Sequence, residues 1–187
     1  MTKTDKQIGT RTEVDFSDHE LIIVDHGDTK IYHLKKPDTN YDNIKYINSG
    51  GILAVTGDYG NWIFCREFHP DVNDKVSDHY WCEKLKIASC QEPYEFDSES
   101  TIKELKKALK EYKSENGKAA SSDVIEYYQE CMEKANYDEF DYTAFAYREY
   151  PSNFGHEDMI MRKDIKYWLK AVFDGFDIMH DRLNKKD

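Results

Sequence analysis

No stretch of the chain is apolar for long enough to cross a bilayer. The opening residues, MTKTDKQIGTRTEVDFSDHE, lack the apolar segment of a secretory leader. The expected home is a reducing cytoplasm, where the four cysteines, Cys65, Cys82, Cys90 and Cys131, are thiols or metal ligands rather than disulfides. Positive charge is also scarce. Lysine and arginine number 26 against 37 aspartates and glutamates, a net charge of -11, which argues against phosphate-neutralising nucleic-acid binding and against an anionic membrane surface. Walker loop, dinucleotide fingerprint, nucleophile elbow and HExxH are all missing, so no reaction is identified. Internal repeats and low-complexity linkers are absent too.

Core material, by contrast, is plentiful. Aromatics make up 14% of the 187 residues, with 14 tyrosines, and a chain of this size buries roughly 70% of its unfolded surface. The expectation is a single domain over 1–187: a loose arm over 1–18, a sheet over 19–69, and a mainly helical part over 77–183.

Short β-like runs come first. Residues 21–24 and 30–34 flank DHGD, residues 44–47 and 52–56 flank NSGG, and GDYG turns the chain into the aromatic run 61–68. Five strands with short connections imply an antiparallel sheet. The period then changes. Tyr80, Trp81, Leu85 and Ala88 suggest a short helix over 77–88. Ser98 or Ser100 can cap a second, with the stripe Ile102, Leu105, Ala108, Leu109 and Tyr112, and Asn116-Gly117 ends it. Ser122 opens a third, whose stripe is Val124, Tyr127, Tyr128, Cys131 and Ala135. The last helix repeats apolar residues from Ile165 to Leu183. Residues 142–150 fit both strand and helix periods. The fold class is α+β, an antiparallel sheet covered on one face by a helical C-terminal half.

Three constellations bear on chemistry. Cys65, His69, His79 and Cys82 form C-x3-H and H-x2-C pairs nine residues apart, and structural zinc draws four nitrogen or sulfur ligands as two close pairs. With Cys65 and His69 on a strand face and His79 and Cys82 on a helix face, a closed structural zinc site is one reading. Two core thiols and two surface imidazoles are the other, and Cys90 is a substitute ligand. Asp25, His26 and Asp28, with His33 and Asp58, could serve a magnesium-dependent nuclease, yet DHGD is also what a tight turn looks like. Finally, Asp123, Glu126, Glu130 and Glu133 lie off the third helix's apolar stripe, and Asp138, Glu139 and Asp141 follow. Such a run is either a solvated face or a mimic of a phosphate backbone. Tyr137 and Tyr142 beside it are candidate interface anchors. The lysines 103, 106, 107, 110 and 113 are interspersed with glutamates, which favours intrahelical pairing over RNA binding.

The segments GGILAVTGDYGNWIFCREF, HYWCEKLKIAS and EPYEFDSES, with the terminal helix, resemble a family of small phage and prophage proteins over roughly 50–179. This chain departs from that pattern in its extra N-terminal hairpin and its cysteine/histidine cluster. Acidic phage proteins of this size include anti-CRISPR inhibitors. The resemblance therefore implies a non-enzymatic inhibitor of a host CRISPR effector, Cas9, acting by stoichiometric binding that blocks nucleic-acid loading. The alternatives are a small nuclease cleaving guide or host RNA, and a phage accessory protein of unrelated role.

Overall fold

Alternating apolar residues joined by tight turns make the first half of the chain a meander. The computed structural model describes residues 12, 14–72, 75–88, 92–151 and 159–184. Strands β1 (Glu20–Asp25), β2 (Thr29–Lys35), β3 (Ile44–Ser49), β4 (Ile52–Gly57), β5 (Trp62–Phe64) and β6 (Leu85–Ala88) pair in that order, every neighbour antiparallel. Helices follow: α1 (Asp78–Lys84) before β6, then α2 (Ser98–Asn116), α3 (Ser122–Ala135), α4 (Glu139–Arg148) and α5 (Tyr167–Asn184). Short strands β7 (Tyr94–Phe96) and β8 (Lys163–Ile165) pair with each other. The architecture is α+β as expected, and among the described residues the main sheet has six strands, β6 adding to the five expected. Among the described residues no helix is long and apolar enough to cross a membrane.

The chain forms two compact units, Met1–Pro93 with Ile165–Asp187, and Tyr94–Asp164. In the first, Tyr32, Leu34, Ile44, Tyr46, Leu53, Val55, Trp62 and Phe64 alternate onto one sheet face and are buried. Helix α5 covers that face. The Tyr46 hydroxyl donates to the Val172 carbonyl at 2.9 Å, and Phe176 stacks on Phe68 with ring centroids 4.3 Å apart. Trp81 of α1 joins this cluster, 4.8 Å from Phe176. Within this unit, α5 and α1 are the helices that cap the sheet. On the opposite face, cross-strand register lines up Val24, Ile31, Ile47, Ala54, Ile63 and Ile87 in one row.

The GDYG segment is a structural corner. A Cβ on Gly57, whose φ is 141°, would lie 2.1 Å from the Asn43 carbonyl oxygen, so only glycine fits. Asp58 accepts from both the backbone N–H and the side-chain amide of Asn43, each at 2.9 Å. Tyr59 is buried and donates to Asp42 at 3.2 Å.

Two expectations about local structure change. The arm over 1–18 is not loose where it is described: Phe16 is buried, and buried Thr12 donates to Asp174 of α5 at 2.6 Å. The helix expected over 77–88 stops at Lys84, because Leu85 turns extended (ψ 128°) and residues 85–88 pair with β5.

In the second unit, α2, α3 and α4 pack around Leu105, Leu109, Val124, Tyr127, Tyr128, Cys131, Tyr142 and Phe145. Asp97, rather than Ser98 or Ser100, caps α2, accepting from the Ser100 N–H at 2.9 Å. Gly117 ends that helix as expected.

Candidate partner-binding surface

The α3 stripe predicted from spacing is the one that is buried: Val124, Tyr127, Tyr128, Cys131 and Ala135. Helical geometry then leaves the acids between those positions on the outer face. Asp123, Glu126 and Glu133 are exposed and Glu130 is half-buried. Asp123, Glu126 and Glu130 line a shallow groove of about 290 Å³ between α3 and the end of α4, completed by Tyr127, Phe145, Arg148 and Glu149. Arg148 is the groove's single cation, and its Nε lies 2.6 Å from Glu149. Three carboxylates of α3 therefore face outward with no neutralising partner in the groove lining. Tyr127 in the lining is no acid at neutral pH: burial raises its hydroxyl, which donates to the Ala146 carbonyl at 3.3 Å.

The remaining acids of the run have other work. Asp138 is the N-cap of α4 and accepts from the Asp141 N–H at 2.7 Å. Glu139 pairs with Lys163 at 3.2 Å. Asp141 is exposed. The lysine stripe of α2 is solvent-facing at all five positions, and Glu104 on that helix reaches Arg162 at 3.5 Å.

The aromatic anchors are partly different from those expected. Tyr137 is exposed. Tyr142 is not: it is 1% exposed, its hydroxyl donates to the Ile160 carbonyl, and its ring stacks on Phe96 at 5.7 Å. Residues 139–148 are helical, which turns Tyr142 inward and Phe140 and Tyr147 outward, 78% and 75% exposed. Phe140 and Tyr147 are seven residues apart and share a helix face. Sequence reasoning missed Tyr147 because 142–150 fits both periods, and Phe140 because the helix that begins at Glu139 was not expected.

The zinc ligands are not gathered. Among the described residues, no three histidine, cysteine, aspartate or glutamate side chains converge as a metal site would require. The reason is local. Strand β5 ends at Phe64, and the Asn48 side-chain amide takes hold of the Phe68 backbone on both its N–H and its carbonyl. The Cys65 N–H still bonds the Lys84 carbonyl at 2.8 Å, but 65–69 does not continue as a strand, and the strand-face spacing that would pair Cys65 with His69 is lost. Cys65 is exposed, His69 lies 3.3 Å from Glu67, His79 is exposed on α1, and Cys82 is half-buried. Cys90 lies outside the described residues.

The nuclease residues are likewise spread through turns. Asp25 accepts from the Gly27 N–H at 3.0 Å within the β1–β2 turn, where His26 and Asp28 also sit, while Asp58 holds the GDYG corner. His33 is on the face of β2 away from α5, shifted below its ordinary value by burial.

Comparison with family models, characterised proteins and solved structures finds no match to this chain.

Proposed function

We propose that this chain is a stoichiometric binding protein whose α3–α4 surface occupies a basic, nucleic-acid-binding surface on a protein partner. The observation that carries the reading is the line Asp123, Glu126 and Glu130 in one groove with a single, already paired arginine. Exposed carboxylates spaced along a helix present negative charge much as phosphates do, and complementary potential speeds encounter and selects partners. Phe140 and Tyr147 on α4 add the exposed aromatic area that interface hot spots use. A net charge of -11 favours approach to a cationic channel.

The phage-protein resemblance names the partner: a host CRISPR effector, Cas9, acting in the host cytoplasm. In this reading the chain blocks nucleic-acid loading by occlusion, without turnover. The test is to add it to a Cas9–guide complex at increasing ratio. The expected result is a co-eluting complex on gel filtration, loss of target-DNA binding that saturates near one chain per effector, and an intact guide on a gel. Asp123→Lys, Glu126→Lys and Glu130→Lys together should abolish all of this with the circular-dichroism spectrum unchanged. No complex and undiminished DNA binding would overturn the proposal, as would guide cleavage at substoichiometric amounts.

A further inference from the structure

Strand β1 is the open edge of the main sheet: β2 is bonded along one side, and among the described residues nothing is bonded along the other. The edge is also apolar. Ile22, Ile23 and Val24 are 38%, 42% and 37% exposed. An exposed aliphatic edge strand of six residues is a template for another strand, and proteins ordinarily blunt such edges with lysine, proline or a bulge. The strand ELIIVD carries none of these.

Hydrogen-bond alternation says which groups are free. The His26 N–H donates to the Thr29 carbonyl at 2.9 Å, one step beyond the paired residues Asp25 and Lys30. In an antiparallel ladder alternate pairs are bonded. Ile22 and Val24 therefore bond β2, and the backbone N–H and C=O of Leu21, Ile23 and Asp25 point outward.

The charges say what fits. Across the β1–β2 ladder, Glu20 stands opposite Lys35 and Asp25 opposite Lys30, so the acidic ends of β1 are matched by lysines five residues apart with an apolar-rich stretch between. The outer edge offers the same two acids and no match. A second copy of β1 cannot supply one: added antiparallel it sets Glu20 of each copy beside Asp25 of the other, and added parallel it sets like beside like. We infer that β1 is a docking edge for an extended polypeptide segment of the β2 pattern, aliphatic in the middle with basic residues five apart, added antiparallel. Its residue opposite Val24 would extend the row that runs from Val24 to Ile87. Backbone bonds and aliphatic contact give such strand addition its affinity, and the end charges give it selectivity. This surface is independent of the α3–α4 reading.

The probe is a blocked hexapeptide with lysine at both ends and valine, threonine, valine, threonine between, titrated into isotope-labelled full chain. Amide shifts should concentrate on residues 20–25 and saturate. A glutamate-ended peptide should bind at least about tenfold more weakly, two attractive end contacts having become repulsive. Ile23→Pro removes an outward donor and leaves the β2 ladder whole, a substitution edge strands tolerate; it should weaken binding by about tenfold or more. Backbone N-methylation of the peptide should do the same against the unaltered chain, independently of how the proline variant folds. Any of four outcomes overturns the inference: no binding, equal binding of both peptides, shifts confined to residues 123–149, or concentration-dependent dimerisation through β1 without peptide.

Discussion

Gly175 of α5 sits directly over the Tyr46 hydroxyl of β3: a Cβ placed on Gly175 would lie 2.0 Å from that oxygen. The same hydroxyl donates to the Val172 carbonyl, so helix and sheet approach as closely as a bare backbone allows. Gly175→Ala should therefore destabilise the first unit by about 1–3 kcal/mol through overpacking, despite alanine's better helix propensity. Tyr46→Phe alone should cost about 1 kcal/mol for the lost hydrogen bond. The double variant should be less destabilised than the sum, because the phenylalanine removes the atom that clashes. Urea unfolding of the four proteins measures this coupling, and strict additivity would contradict the geometry.

The α4 aromatics separate binding from stability. Phe140→Ser and Tyr147→Ser should leave the melting temperature within a degree or two while weakening partner binding, since both rings are exposed. Tyr142→Ala should do the reverse, costing about 3–5 kcal/mol through a cavity in the second unit's core. Melting curves beside partner titrations settle the matter, and a loss of stability in the first two variants would count against the exposed face.

Stability should fall as the solution is acidified from neutrality, before any carboxylate titrates. His19 is buried, and burial holds its pKa below the ordinary histidine value. Its Nε2 lies 2.7 Å from the Asp42 carbonyl, and its Nδ1 is buried with no partner among the described residues to accept a proton. His33 is shifted the same way, again by burial. A histidine with a lowered folded pKa binds fewer protons folded than unfolded, so its contribution is whole above about pH 6.5 and declines below it. The melting temperature should thus drop between pH 7.5 and 5.5, and His19→Gln should flatten that slope. A flat profile in the unaltered protein would be the contrary result.

The thiols should report the cysteine geometry. Cys65 is exposed, whereas Cys131 is fully buried with its thiol pushed up to about 11. Under native conditions iodoacetamide should alkylate Cys65 readily and reach Cys131 only in denaturant, as followed by peptide mapping. Protection of Cys65 that a chelator releases would instead restore the zinc reading.

Strands β1 to β4 were legible because short branched and apolar runs fall between clear turn residues; where two periods agree with one segment, legibility ends. Trp81, Leu85 and Ala88 satisfy helical spacing, yet 85–88 also alternates, and pairing with β5 decides for a strand. Residues 142–150 have the same ambiguity, which hid Tyr147 and the start of α4 before it at Glu139. The zinc spacing presumed that 65–69 continues the strand, and only the distant Asn48 amide reveals that it does not. Phe16 and Thr12 stand in a polar stretch with no periodic signal, and their burial depends on contacts such as Asp174, 162 positions from Thr12. The outward placement of Asp123, Glu126 and Glu133, with Glu130 half-buried, was readable because a clear apolar stripe fixes where the rest of a helix points.

The bond from Tyr46 to Val172 spans 126 positions of chain, and everything in the second unit lies between them. During synthesis the strands emerge before the second unit and the helix that covers them emerges after it. At about 5–20 residues per second, the aromatic face of the sheet stays bare for several seconds of translation while the intervening unit is made. The second unit, whose core closes within one continuous segment, has no such delay. A nascent chain of this kind finishes its middle before its beginning, and the interval in which Tyr46, Phe64 and Phe68 wait for α5 is when it is most exposed to aggregation and most dependent on chaperones.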